Sequence, residues 1–240
     1  MPNPPPPPPW QFDEFKQLTV DFNDPEQVAD YDRRQGDGAE DNRLILSDLG
    51  FKAGDVVVDL GTGTGCFAVE AARAGAARVH AVDVSPAMLE FTKRRARAAG
   101  VEDQISCSHA GFLSYTHAGP PADIVATQFA LHHLPDFWKG VALSRIAAFI
   151  KPGGRFYLQD VIFSFPPADH AARIDGWIDT VAGARGGDSF SRAVFEGHVR
   201  DEFSTYDWIV EGLLSRAGLR IDDAHKSAPT YATYACTRVA

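Results

Sequence analysis

One stretch constrains this chain more than any other: VVVDLGTGTG, from Val56 to Gly65. Three β-branched residues, an acid and a leucine predict a buried strand over Val56–Leu60. Glycines at every second position, Gly61, Gly63 and Gly65, then turn the chain into a helix predicted over Gly65–Ala74. A strand that ends in glycines and opens a helix aims unpaired N–H groups and the positive helix end at whatever sits above the sheet. With no Cβ atoms at the three glycines, a ligand can approach the main chain closely. Such a turn serves several nucleotide-like ligands, so the glycines alone do not choose among them.

Asp59, on the end of that strand, narrows the choice. A carboxylate is poorly matched to a pyrophosphate, and the usual dinucleotide spacing GxGxxG would require glycine where Cys66 stands. A ligand that carries a cationic amine and a sulfonium but no phosphate suits the site better; S-adenosylmethionine has that charge pattern. A second acid, Asp83, ends the run HAVDVS about twenty residues after the first glycine, where a carboxylate can accept both ribose hydroxyls. Its bland alternative is the N-cap of the helix that starts at Pro86, a role open to Ser85 as well.

Around this centre, β-rich runs alternate with helical patterns. Strands are predicted at Val79–Val82, Ile105–His109, Ile124–Thr127 and Arg155–Val161, and helices at Pro86–Ala99 and Asp136–Ile150. That alternation argues for an α/β fold with a parallel sheet and helices on both faces. Ahead of it, Asp24-Pro25 reads as an N-cap and first helical position, and a second helix follows from about Ala39 to Leu49. Residues 1–23 form a proline-rich tail and N-terminal segment, with Pro4–Pro9 expected in polyproline II. Residues 24–240 read as one domain. Within it, a polar and aromatic stretch at about 166–204, broken at Gly186-Gly187, reads as a helical lid; a helix near Thr205–Ala217 and a closing antiparallel pair follow.

The chain of 240 residues, 45% hydrophobic, can bury one large core. Its formal charge of −9 argues against a nucleic-acid partner. No run of about 18 apolar residues and no signal peptide appear, so the expected address is the cytoplasm, with no membrane association. Cys66, Cys107 and Cys236 are widely spaced, which supports neither a disulfide nor a metal site.

Four ordered motifs, VVVDLGTGTG, HAVDVSPAML, ADIVATQFALHHLPD and KPGGRFYLQD, resemble those of class I S-adenosylmethionine-dependent methyltransferases, and the closest flavour is the small-molecule group similar to the quinone-biosynthesis enzymes. The resemblance implies a Rossmann-like, mostly parallel sheet of seven strands in the order 3-2-1-4-5-7-6. It also implies that Asp59 and Gly61 hold the methionine end of the cofactor, that Gly63 and Gly65 line its path, and that Asp83 binds the ribose. By the same resemblance Val84 and Met88 pack on the adenine, Tyr31 closes over the methionine carboxylate, and Gln128 and Phe129 sit beside the sulfonium. One departure stands out. Many relatives place an acid after the third strand to meet the adenine amino group, and here the chain reads HAGFLSY; Gly111 occupies that place, leaving backbone groups and Phe112 to recognise the ring.

Methyl transfer by in-line displacement needs the acceptor held at near-attack geometry in a dry site, and a route for its proton when it is neutral. His132 and His133, at the end of the fourth strand, are candidate bases. Asp160, ending the fifth, can orient an acceptor hydroxyl or cap a turn. In the lid region His198, Arg200, Glu202, Tyr206 and Trp208 are candidate substrate contacts. Arg200 would favour an anionic acceptor, whereas Trp208 with Trp177 and Phe195 would favour an aromatic or isoprenoid one. The leading reading is therefore methyl transfer from S-adenosylmethionine to a small organic metabolite, with S-adenosylhomocysteine as product. The alternatives are a nicotinamide-dependent reductase, which lacks an identifiable Tyr-Lys pair here, and a nonenzymatic partner module. RNA methylation, a third, is disfavoured by the acidic charge and by TQFALHH standing where an NPPY-like loop would be.

Overall fold

The computed structural model describes residues 8–16, 19–36, 38–185 and 191–239, with the backbone alone for 183–185. Pro4–Pro7 of the proline tract and the Gly186-Gly187 break lie outside the described residues. Gln11 N–H donates to Pro8 O at 2.9 Å, and the exposed Trp10 stacks on Trp138 with centroids 6.3 Å apart.

The helices α1 (Pro25–Gln35) and α2 (Ala39–Asp48) precede the sheet. The predicted cap of α1 forms: Asp24 accepts from Glu26 N–H at 2.9 Å, and Pro25 takes the first turn, where no N–H is needed. The strands β1 (Val56–Leu60), β2 (Arg78–Asp83), β3 (Ile105–His109), β4 (Ala122–Gln128) and β5 (Ile150–Phe163) follow, with helices α3 (Cys66–Arg73), α4 (Pro86–Ala98) and α5 (Asp136–Phe149) between them. Next come α6 (His170–Arg185), α7 (Arg192–Asp201), β6 (Thr205–Tyr206), α8 (Asp207–Arg216), β7 (Leu219–Ala228) and β8 (Tyr231–Arg238).

The sheet order is β3-β2-β1-β4-β5-β8-β7, and β8 runs antiparallel to both its neighbours. With the two-residue β6 set aside, this is the expected 3-2-1-4-5-7-6 topology. The short β6 pairs parallel with Ile162 and Phe163, beyond the predicted end of β5, and so extends that strand past Asp160.

Successive residues of each central strand feed opposite faces. Val57, Val79, Ile124 and Ala126 pack with Leu46, Phe67 and Ala96 on one side. Val58, Val82, Val125, Phe156 and Leu158 pack with Leu143, Ile146 and Leu214 on the other. Strands buried on both faces read as continuous apolar runs, which is why the sequence marks them so clearly. A third apolar cluster, built from Val161, Phe163, Phe165, Trp177 and Ile178, joins the end of β5 to α6. Parallel register places Asp83 beside His109 and Gln128 beside Gln159, so the carboxyl ends of β2, β4 and β5 meet along one edge.

Candidate active site

That edge opens into a cavity of about 590 Å³. Its floor is the glycine turn. Gly61 and Gly63 line it at φ 72° and 54°, in the left-handed region, and a Cβ on Gly61 would overlap the Ala130 side chain. Gly65 also has positive φ, but it lies outside the wall: it opens α3, and a Cβ there would meet Thr92 Cγ2 at 2.7 Å. Its smallness lets α4 approach α3, which corrects the expectation that it lines a ligand path.

Asp83 lines the cavity, and its two carboxylate oxygens accept from Gly63 N–H at 2.9 Å and Ser85 N–H at 2.8 Å. These bonds aim the group, while burial pushes its carboxyl above the ordinary range. The helix cap belongs to Ser85, whose Oγ accepts from Met88 N–H at 3.0 Å. The bland reading of Asp83 is thereby removed. Val84, Met88, Gly111 and Phe112 line the same end, as do Tyr31, Gln128 and Phe129. Tyr31 is held edge-on by Phe22 and accepts from Gln35 Nε2 at 2.5 Å, and burial pushes its hydroxyl up to about 12. Gln128 Nε2 donates to Asn42 Oδ1 at 3.2 Å. Phe129 has φ 51°, the one positive-φ non-glycine among the described residues, and its N–H donates to Gln159 O at 2.7 Å. An aromatic residue held in this region marks strain concentrated at the site.

Asp59 departs from expectation. It is 3% exposed and lies behind the turn, outside the cavity wall, where it accepts from Thr62 Oγ1 at 2.6 Å and from Ala68 N–H. Burial, with the Asp83 charge adding and the Thr62 bond opposing, pushes its carboxyl up to about 7. Asp59 shapes the glycine turn from behind.

The far half of the cavity is walled by Val161, Trp177, Val181, Val194, Phe195 and Tyr231. Polar groups converge here too. His132 Nδ1–H donates to Asp160 Oδ1 at 2.5 Å, its backbone N–H donates to Asp160 Oδ2 at 2.9 Å, and Nε2 faces Glu202 Oε2 at 3.3 Å. Glu202 also pairs with His198 Nδ1 and accepts from Thr19 Oγ1, while His198 Nε2 meets Ser204 Oγ at 2.8 Å. Ligand atoms of His132, His198 and Glu202 lie within 4.8 Å of one another, and hydrogen bonds occupy each of them.

The electrostatics split the histidine pair. Burial disfavours charge on His132, but Asp160 and Glu202 outweigh it and push the ring up to about 9, so it is an imidazolium at neutral pH. Against the same burial, His132 holds Asp160 below the usual carboxylate range, and His132 with His198 does so for Glu202. For His133, burial and the neighbouring imidazolium, 4.3 Å away between ring centroids, push the value down to about 4. His133 is neutral and faces the cavity, and its backbone N–H donates to Ala130 O at 3.2 Å.

Several sequence candidates fall elsewhere. Asp160 is 2% exposed and outside the cavity, where it accepts from His132 and from Val161 N–H. Arg200 is exposed and bidentate to Asp201. Trp208 is 63% exposed and stacks on Tyr206, whose other ring contacts are Phe163 and Phe165. None of these four, Asp160, Arg200, Tyr206 and Trp208, lines the cavity, whereas His198 and Glu202 do. Helical spacing explains the sorting: Phe195, His198 and Glu202 follow a three-four repeat on one face, and Arg200 falls opposite. Glu14, Gln159 and Tyr231 line the cavity without having been singled out in the sequence.

Comparison with known proteins agrees with this architecture. Residues 57–154 match the model of a family described as a methyltransferase domain. This part of the chain is thus similar to a methyltransferase domain, in line with the family that the sequence motifs resemble. The chain is 31% identical over 120 residues to 27-O-demethylrifamycin SV methyltransferase of Amycolatopsis mediterranei (strain S699), covering 50% of this chain and 43% of that one. The chain thus spans less than half the length of that relative. An uncharacterized methyltransferase of Geobacillus kaustophilus (strain HTA426) is 29% identical over 171 residues, 70% of this chain and 76% of its own length. Among solved structures, geranyl diphosphate C-methyltransferase from Streptomyces coelicolor A3(2) shares the fold with a TM-score of 0.64 at 16% identity, covering 83% of this chain and 76% of that one. The shared fold is the sheet topology described above. No helix among the described residues is long and apolar enough to cross a membrane.

Proposed function

We propose that this methyltransferase acts on a small acceptor with an aromatic or isoprenoid body and a neutral hydroxyl or similar group. The observation that carries the reading is the continuity of the cavity: one wall holds the glycine turn and Asp83, the other an aromatic chamber with neutral His133, and about 590 Å³ joins them. That volume falls in the range of about 300–1,000 Å³ typical of ligand sites.

The residues at the near end fit S-adenosylmethionine. Gly61 and Gly63 keep side chains out of the space beside the main chain, Asp83 offers its remaining lone pairs to ribose hydroxyls, and Val84, Met88 and Phe112 give apolar walls to a flat ring. When bound, the cofactor supplies an electrophilic methyl group for in-line displacement. Trp177, Phe195 and Tyr231 exclude water and fix the acceptor, the entropic share of catalysis. His133, being unprotonated, takes the acceptor's proton as its oxygen becomes an ether.

An anionic acceptor is disfavoured. Two carboxylates, Asp160 behind the chamber and Glu202 in its wall, stand beside the imidazolium of His132, and Arg200 faces solvent. The test is to incubate the protein with S-adenosylmethionine and a panel of phenols, isoprenoid alcohols, carboxylic acids, thiols and amines, and to follow S-adenosylhomocysteine. The expected outcome is turnover of a phenol or isoprenoid alcohol; preferential turnover of a carboxylic acid would contradict the assignment.

A further inference from the structure

The cavity end that faces α4 contains a carboxylate from an unexpected source. Glu14 belongs to the segment ahead of α1, yet its Oε2 accepts from Leu113 N–H at 2.8 Å, 99 positions along the chain. Its other oxygen, Oε1, is buried and has no hydrogen-bond partner among the described residues, although the side chain lines the cavity. A buried carboxylate oxygen without a donor is costly, so the site is built for a donor that arrives with a ligand.

Gly111 and Glu14 are complementary. A Cβ at position 111 would overlap Glu14 Oε2, lie 2.5 Å from its Cδ and 2.8 Å from Val84 Cγ1. Any side chain there would evict the Glu14 carboxylate; the glycine is what admits it. The segment bearing Glu14 is also held on the domain at several points. Phe12 packs edge-on to Phe203, Phe15 edge-on to His109 with centroids 5.2 Å apart, and Ser85 Oγ donates to Phe22 O. Oε1 is thus presented from a fixed position beside Val84 and Phe112, which wall the space for a flat ring.

We propose that Glu14 accepts a hydrogen bond from the exocyclic amino group of the adenine ring, taking over from the N-terminal segment the task that no acid at position 111 performs. The inference rests on the cofactor reading above. It makes the segment a specificity element: a 6-amino purine donates to Oε1, whereas a 6-oxo purine sets a carbonyl oxygen against it.

Glu14→Gln separates a direct contact from a structural one. The amide oxygen can keep the bond to Leu113 N–H, which turns the group facing the ring from an acceptor into an NH₂ donor. Isothermal titration calorimetry with S-adenosylhomocysteine and its deaminated analogue S-inosylhomocysteine reads the result without turnover, with a thermal melt of each protein as the folding check. The parent should prefer the adenine compound by roughly tenfold or more, as expected for one hydrogen bond to a charged group. In Glu14→Gln the preference should vanish or reverse. An unchanged ratio in a folded variant overturns the role of Glu14 and leaves the cofactor reading intact. A parent that binds neither compound overturns both.

Discussion

Raising the pH from about 6.5 to about 9 should remove about 3 kcal/mol of folding stability through His132. Its folded value near 9, against an ordinary 6.5, is about 2.5 units, at about 1.4 kcal/mol each. The sign follows from which state holds the proton more tightly. The folded chain does, so the contribution is fully present below the unfolded value of 6.5 and is lost as the pH rises through about 9. Asp160→Asn removes the carboxylate 2.5 Å from Nδ1 and leaves Glu202, at 3.3 Å from Nε2, as the remaining partner. Burial is the largest influence on this ring and Glu202 the weaker of its two partners, so the variant should lose well under half as much over the same window. Urea unfolding followed by circular dichroism, at fixed ionic strength across that window, measures both curves. Asp59, with its folded value near 7, destabilises the fold as pH rises from its ordinary 3.8 toward 7, and it does so in both proteins, so the difference between them isolates His132. Parallel stability curves for parent and variant would refute the claim that His132 is a buried imidazolium held by Asp160.

Three further outcomes follow from the site. His133→Gln should lower kcat roughly 100-fold and leave acceptor KM nearly unchanged in steady-state kinetics, because it removes a base and little packing. Arg200→Ala and Trp208→Ala should leave kinetics at parental values and stability within about 0.5 kcal/mol in urea titrations, since both side chains face solvent. Asp83→Asn should weaken S-adenosylhomocysteine binding by at least roughly tenfold in calorimetry. In contrast, Asp59→Ala should show itself first as a lower melting temperature, because it removes the acceptor of Thr62 Oγ1 behind the turn and Asp59 does not line the cavity.

The sheet was legible because its strands are buried on both faces, so that Val56–Leu60 and Ile124–Thr127 stand out as β-rich runs between helical patterns. The two-residue β6 was not, since Thr205-Tyr206 carries no periodicity and pairs only because β5 runs on to Phe163. Within the site, Asp83 was readable from its distance to the glycines, and the structure adds the two N–H groups that aim it. The charge of Asp59 points to the ligand class, but its place on β1 buries the carboxylate against Thr62 and Ala68 of α3. Residue type alone does not place Arg200 and Trp208: on α7 the three-residue step from Phe195 to His198 marks the inner face and sets Arg200 opposite, while Trp208 lies on α8. The division of labour between His132 and His133 depends on Asp160 and Glu202, which approach from distant parts of the chain. Glu14 was invisible for the same reason, its partner being Leu113.

The most direct measurement of the central claim is a cocrystal structure with S-adenosylhomocysteine. The account predicts the ribose hydroxyls within hydrogen-bond distance of the Asp83 carboxylate, the purine between Met88 and Phe112, and the sulfur directed toward the chamber that holds His133. A ligand bound with its purine in the aromatic chamber, or outside this cavity altogether, would contradict it.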